Sequence, residues 1–156
     1  MELDAIGKAI MEAHLVPLMS QTNLGLEVTM QRVNSHGELS TRPYPQAFGN
    51  QRQNRQIHNG FSQTQLKLTT PAMADIPALM DYLTGLNTTA RRALSADELL
   101  WPLSSTPVLP ADLTTIPLAD ADAGGFKRRQ QRAAHYYIDK LMTTGTHVKL
   151  SFTEQT

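Results

Sequence analysis

The sequence contains no cysteine. Disulfides, zinc–thiolate sites and a cysteine nucleophile are therefore excluded, and the composition fits a reducing compartment. Net charge is missing too, because 14 Lys and Arg balance 14 Asp and Glu over 156 residues. That balance gives no general pull toward nucleic acid or a membrane surface, and neither is expected as a partner. No stretch approaches the ~18 consecutive apolar residues of a membrane span, and the N-terminus has no basic region leading into an apolar run. A soluble, cytoplasmic protein is expected. Internal repeats and low-complexity tracts are absent from the sequence. The length suits a single domain, 1–156, able to bury a core.

What is present is alternation. In Leu24 to Val33 the apolar residues Leu24, Leu26, Val28 and Met30 are interleaved with Gly25, Glu27, Thr29 and Gln31. In the stretch from Asn59 to Pro71, Ser62, Thr64, Leu66 and Leu68 oppose Phe61, Gln63, Gln65 and Lys67. In Thr146 to Phe152, Val148, Leu150 and Phe152 oppose His147, Lys149 and Ser151. A period of two predicts strands with one buried side. If they share a sheet, its second side carries Glu27, Thr29, Gln63, Lys67, His147 and Lys149, and function is expected on that polar face.

Helical spacing of Leu3, Ile6, Ile10, Met11, His14 and Leu15 predicts a helix over about 3–15, disturbed at its end by Pro17. Asn34-Ser35-His36-Gly37 predicts a turn that folds Glu38 to Thr41 back as a hairpin. Residues 42–59 predict a long loop. Asp75 is placed to cap a helix with Pro77 in its first turn, and Leu79, Met80, Leu83, Leu86, Ala90 and Leu94 form its apolar stripe. Ser95 and Glu98 resemble a capping box that opens a short turn ending at Trp101-Pro102. A second long loop is expected over 102–123, partly ordered by Trp101, Leu103 and Val108. Phe126, Ala133, Ala134, Tyr137, Ile138, Leu141 and Met142 mark a final helix that exits at Gly145. The fold class expected is α+β, a small, mainly antiparallel sheet with two or three helices on one face. The opposite face should be concave, polar and roofed by the two long loops.

Several ordered motifs then resemble the N-terminal part of bacterial glutamate–cysteine ligases. They are Gly25-Leu26-Glu27-Val28-Thr29-Met30-Gln31-Arg32-Val33 with Gly37-Glu38-Leu39, Pro45-Gln46-Ala47-Phe48-Gly49, and Gly60-Phe61-Ser62-Gln63 with Lys67 and Thr70-Pro71. Trp101-Pro102-Leu103-Ser104 and Gly145-Thr146-His147-Val148-Lys149 complete the set, over about residues 15–153. The resemblance covers roughly the first third of the family's catalytic domain. It implies an ATP-dependent reaction that joins glutamate to cysteine through an acyl phosphate, with magnesium neutralising phosphate charge. Glu27 and His147 keep the family's metal-site residues, whereas Thr29, Gly60, Gln63 and Lys67 stand where the family has acids.

An ammonium at Lys67 in place of a carboxylate would repel a cation by several kcal/mol at an effective dielectric near 20. Lys149 adds a second positive charge on the same face. The two lysines are therefore expected to fill space once held by magnesium and to pair with Glu27, leaving a metal-free site with no cofactor. No residue is assigned a catalytic role. Phe61, Gln63, Lys67 and Lys149 are the candidate substrate-binding residues, and Glu27 and His147 are vestigial metal positions.

Each feature also has a plainer reading. Taken alone, Glu27 is a solvated carboxylate and His147 a hydrogen-bonded polar-face histidine. Phe61 matches a position that lines the family's cysteine pocket, and a strand-start aromatic equally packs under a loop. Lys127, Arg128, Arg129 and Arg132 read as a solvated helix face, with a phosphate or nucleic-acid contact as the rival, and no aromatic or glycine pattern accompanies them to favour nucleic acid. Ser104 and Ser105 have no histidine and acid tied to them by sequence. The expected function is a ligase-like protein, catalytically degenerate and truncated relative to the family. The alternatives are a binder of glutamate or a nucleotide-like anion, and an interaction module that pairs with itself or with a ligase partner chain.

Overall fold

One strand carries the architecture. β1, Asn23–Asn34, is twelve residues long and supports neighbours along both sides. The computed structural model describes residues 3–19, 22–51, 53–119, 123–135 and 141–151. Along one side of β1, Glu27 to Gln31 pair with β3, Gln65–Thr69, and β3 in turn pairs with β2, Ile57–Asn59. Along the other side β4, Glu98–Trp101, pairs with Gln31 to Asn34, and β5, Gly145–Ser151, pairs with Asn23 to Thr29. Every pairing is antiparallel.

The alternation works as the pleat requires. Val28 lies opposite Leu68 and Met30 opposite Leu66, while Ile57 continues the first row, so apolar side chains meet across three strands on one face. Leu66 and Leu68 are both 0% exposed, each contributing about 2–3 kcal/mol of burial. The helix Ile76–Ala93 covers this face with Leu86 and Ala90. It is the third in chain order, after α1 (Leu3–Glu12) and α2 (Val16–Met19), and is called α3. Asp75 caps α3 by accepting a hydrogen bond from the Ala78 amide at 3.0 Å, with Pro77 in the first turn. Arg91 and Arg92 occupy its last turn, where a positive charge suits the dipole. A second cluster, Leu39, Ile116 and Met142, ties the loop after β4 to the segment before β5.

Several expectations are corrected. Residues 42–59 are not one loop: Gln46–Phe48 form a short 3-10 turn, and Ile57–Asn59 is a strand. Phe48 and Ile57 are buried beside Leu86 and Ala90, so this segment packs on the apolar face and does not roof the polar one. The strand expected to begin at Phe61 begins at Gln65, because Gly60 to Thr64 close a hairpin between β2 and β3. The Gly60 amide donates to Gln65 O at 3.2 Å, and the Ser62 and Thr64 hydroxyls share a hydrogen bond of 2.6 Å. Ser95 and Glu98 do close a turn, with Ser95 N donating to Glu98 Oε2 at 3.1 Å, but the chain leaves it as β4. The reason is burial, since Leu100 joins the core and Glu98 reaches Arg32.

At the N-terminus α1 ends at Glu12, where His14 takes a φ of 53° and separates it from α2. The 102–119 segment is anchored by Ile116 and Ala119, both 2% exposed, more than by Leu103 or Val108, whose side chains face solvent. Val108 acts through its backbone, donating to Gly37 O and accepting from Leu39 N, both at 3.0 Å. The final helix, α4, is Ala123–His135. Tyr137, Ile138 and Phe152 lie outside the described residues. On β5, Val148 and Leu150 are 59% and 57% exposed, so the apolar face continues past α3 without cover from the described residues. No helix among the described residues is long and apolar enough to cross a membrane.

Candidate functional site

On the polar face, Glu27 of β1 stands directly opposite Thr69 of β3 and His147 of β5. Lys67 and Lys149 sit two residues further along those strands, diagonal to Glu27 and within reach of a long side chain. Lys67 Nζ donates to Glu27 Oε1 at 2.7 Å, and Lys149 Nζ donates to Oε2 at 2.8 Å. His147 Nδ1 is 3.4 Å from Oε1 and its ring is 70% exposed. The Glu27 side chain is only 13% exposed. Hydrogen bonds from Lys149 and then Lys67 hold its carboxyl well below the usual range, at about 2, against the opposing effect of burial.

This arrangement decides how the face meets a divalent ion. Magnesium takes oxygen ligands at about 2.0–2.1 Å in an octahedral shell. Both Glu27 oxygens are occupied by ammonium groups, and a cation there would sit among like charges. Among the described residues no group of three or more His, Cys, Asp or Glu is arranged to hold a metal. The residues present do not fit the magnesium implied by the resemblance.

Gly60 sharpens the point. A Cβ at this position would meet Gln65 Oε1 at 2.6 Å and Gln65 Cβ at 2.9 Å. Gln65 cannot simply swing away. Its Oε1 accepts from Phe61 N at 2.7 Å, while its Nε2 donates to Leu141 O at 3.2 Å and to Thr143 O at 3.0 Å. The buried amide of Gln65 thus occupies the space into which an acid at position 60 would grow, and it fastens β3 to the segment leading into β5.

Beside the Glu27 cluster lies a cleft of about 690 Å3. The sheet contributes Thr29, Lys67 and His147, the β2–β3 hairpin contributes Phe61, and α4 contributes Arg128, Arg129 and Arg132. Positions 128 and 132 lie one helical turn apart and 129 is three before 132, so α4 presents all three to the same side. Among the described residues, no acidic side chain lines the cleft.

The sequence-based candidates therefore separate. Phe61 and Lys67 line the cleft together with His147, whereas Glu27 and Lys149 form the ion cluster next to it. Gln63 lies in the hairpin turn, where its Nε2 donates to Leu118 O at 3.3 Å and its amide donates to Pro117 O at 2.8 Å. It lies against the 102–119 loop and does not line the cleft. Arg128 and Arg132 are exposed, in keeping with a solvated helix face, and the structure adds that they line the cleft together with Arg129.

Arg32 was undervalued in the sequence. It is 0% exposed, with Nη1 donating to Glu98 Oε1 at 3.1 Å and to Pro43 O at 3.1 Å, and Nη2 donating to Gln63 O at 3.0 Å and to Arg42 O. Ser40 Oγ donates to the same Glu98 oxygen at 2.5 Å. Burial lowers the Arg32 pKa, opposed by the charge of Glu98. This buried pair ties the 42–43 loop, the β2–β3 hairpin and the start of β4 to β1, and so holds the hairpin that carries Phe61.

A profile of the glutamate–cysteine ligase family matches residues 8–156. The bifunctional glutathione biosynthesis protein GshAB of Lactiplantibacillus plantarum is 62% identical over 154 residues, covering 99% of this chain and 20% of that protein. The glutamate–cysteine ligase of Clostridium acetobutylicum is 33% identical over 142 residues, covering 88% of this chain and 29% of that protein. Among solved structures, a bifunctional glutathione synthetase from Pasteurella multocida superposes with a TM-score of 0.82 at 31% identity, over 93% of this chain and 19% of that one. The chain thus spans between about a fifth and under a third of the length of these relatives.

Proposed function

The chain belongs to the glutamate–cysteine ligase family, and from that premise we propose that it is a catalytically degenerate, cytoplasmic member whose polar face binds without turning over. The family's reaction, ATP-dependent joining of glutamate and cysteine at the first step of glutathione synthesis, is the activity by descent. The observation carrying degeneracy is the Glu27 carboxylate, closed on both oxygens by Lys67 and Lys149. Among the described residues, a face whose strand acid Glu27 is neutralised internally has no anionic charge left to collect magnesium, and acyl-phosphate chemistry depends on that ion.

The test is phosphate release with glutamate, cysteine, ATP and magnesium together, compared with each omission. No release dependent on all four is expected. Turnover that requires the complete mixture overturns degeneracy, and micromolar magnesium or manganese binding by calorimetry overturns the metal-free site.

A second reading has its own support. β5 pairs with β1 on one side, and its exposed Val148 and Leu150 continue an apolar face that also includes the partly buried Leu24 and Leu26. An edge strand of this kind suits pairing with another copy or with a ligase partner chain. Self-association appears as a molecular mass that rises with concentration in sedimentation experiments. A constant monomer mass alone and with a full-length ligase removes this reading.

A further inference from the structure

Three guanidinium groups on α4 face a sheet that, by the resemblance, once gathered cations. Arg128 and Arg132 are exposed and Arg129 is half-buried, and among the described residues none of the three makes an ion pair or hydrogen bond. The sheet lines the same cleft with Lys67, His147 and Thr29. Lys67 is matched by Glu27, but that carboxylate is shared with Lys149, so the cluster keeps a surplus positive charge. Guanidinium and ammonium groups are donors only. A zwitterionic amino acid would bring an ammonium needing an acceptor, and among the described residues the cleft wall has no carboxylate to offer one. A ligand whose charged part only accepts hydrogen bonds fits better, and guanidinium forks suit phosphoryl oxygens in particular.

We infer that this cleft binds a phosphoryl-bearing polyanion directly on Arg128, Arg129 and Arg132, with no metal bridging ligand and protein. The inference rests on the reading of a metal-free polar face and names the ligand class that such a face takes. Its substance is that the protein's own cations supply the counter-charge that magnesium supplies elsewhere in phosphate chemistry.

Calorimetry on the full chain in EDTA at low salt, with inorganic pyrophosphate as probe, tests it. Orthophosphate and glutarate in parallel separate phosphoryl from dicarboxylate recognition. The expected result is one pyrophosphate site that is weakened by salt and stronger than that for either parallel probe. Arg128→Gln and Arg132→Gln should each weaken it by about tenfold or more, since a hydrogen bond to a charged group is being removed. Both positions are exposed and glutamine is a good helix former, so the fold should persist, as checked by circular dichroism.

Lys127→Gln, on the same helix but outside the cleft wall, should leave affinity unchanged. Binding that appears only with magnesium, equal affinity in the arginine variants, or preference for glutarate each overturns the proposal. None of these outcomes depends on turnover, so an active ligase would refute degeneracy while leaving this result readable on its own.

Discussion

Replacing Glu27 with glutamine keeps the size of the side chain and deletes the charge on which Lys67 and Lys149 converge. A carboxyl lowered from 4.5 to about 2 is worth at most about 3 kcal/mol of differential stability near pH 7. Screening reduces that figure, because Lys149 is 57% exposed and Lys67 27% exposed. About 1–2 kcal/mol is the expected loss for Glu27→Gln at neutral pH and low salt.

The pH dependence fixes the sign. A lowered carboxyl contributes stability that is fully present above its unfolded pKa of 4.5 and disappears as pH falls toward about 2. Wild type and variant should therefore differ near pH 7 and converge near pH 2. Urea unfolding followed by circular dichroism across this range, at low and at high salt, measures the gap directly. Identical midpoints near pH 7, or a gap that persists unchanged at the acid end, would refute the ion-cluster argument.

Gly60→Asp should destabilise the fold by about 1–3 kcal/mol in thermal or urea unfolding, since its Cβ meets Gln65 at 2.6 Å and 2.9 Å. Shortening Gln65 in the same chain should recover part of that loss only at the expense of the bonds to Leu141 and Thr143. Lys67→Glu combined with Lys149→Asn frees Glu27 and adds a second acid, so calorimetry should detect manganese binding in the double variant and not in the parent. Arg32→Met should cost about 3–5 kcal/mol, because it leaves the Glu98 carboxylate buried without its partner, and Glu98→Gln in the same chain should return part of it.

The strand period made β1 and β5 legible, and the Asp75 cap with Pro77 located α3 almost to the residue. β2 and β4 were not legible. Three and four residues are too short to show a period, and their partners lie far away in sequence. The turn at Gly60 to Thr64 was hidden for a different reason: its residues continue the alternation of the strand that follows, and only the buried hydroxyl pair Ser62 and Thr64 reveals that the chain has bent. Glu27, Lys67 and Lys149 could be placed together because long side chains tolerate a small error in register. Gln63 could not be placed, since its position depended on where the strand began.

The acid losses and the arginine cleft belong to one change of charge. By the resemblance, the face once carried acids at positions 29, 60, 63 and 67, and such a face requires bound cations before any phosphate can approach. With Thr29, Gly60, Gln63 and Lys67 in those places, the same surface is proposed to repel cations and to accept an anion without a bridging ion. Restoring a single acid would then be unfavourable in two ways: it meets Gln65 at position 60, and at position 67 it leaves Lys149 as the only ammonium on two carboxylates. The substitutions support one another through Glu27. The lysines keep that carboxylate from opposing an anion, and among the described residues no unneutralised acid shares the cleft with the α4 arginines.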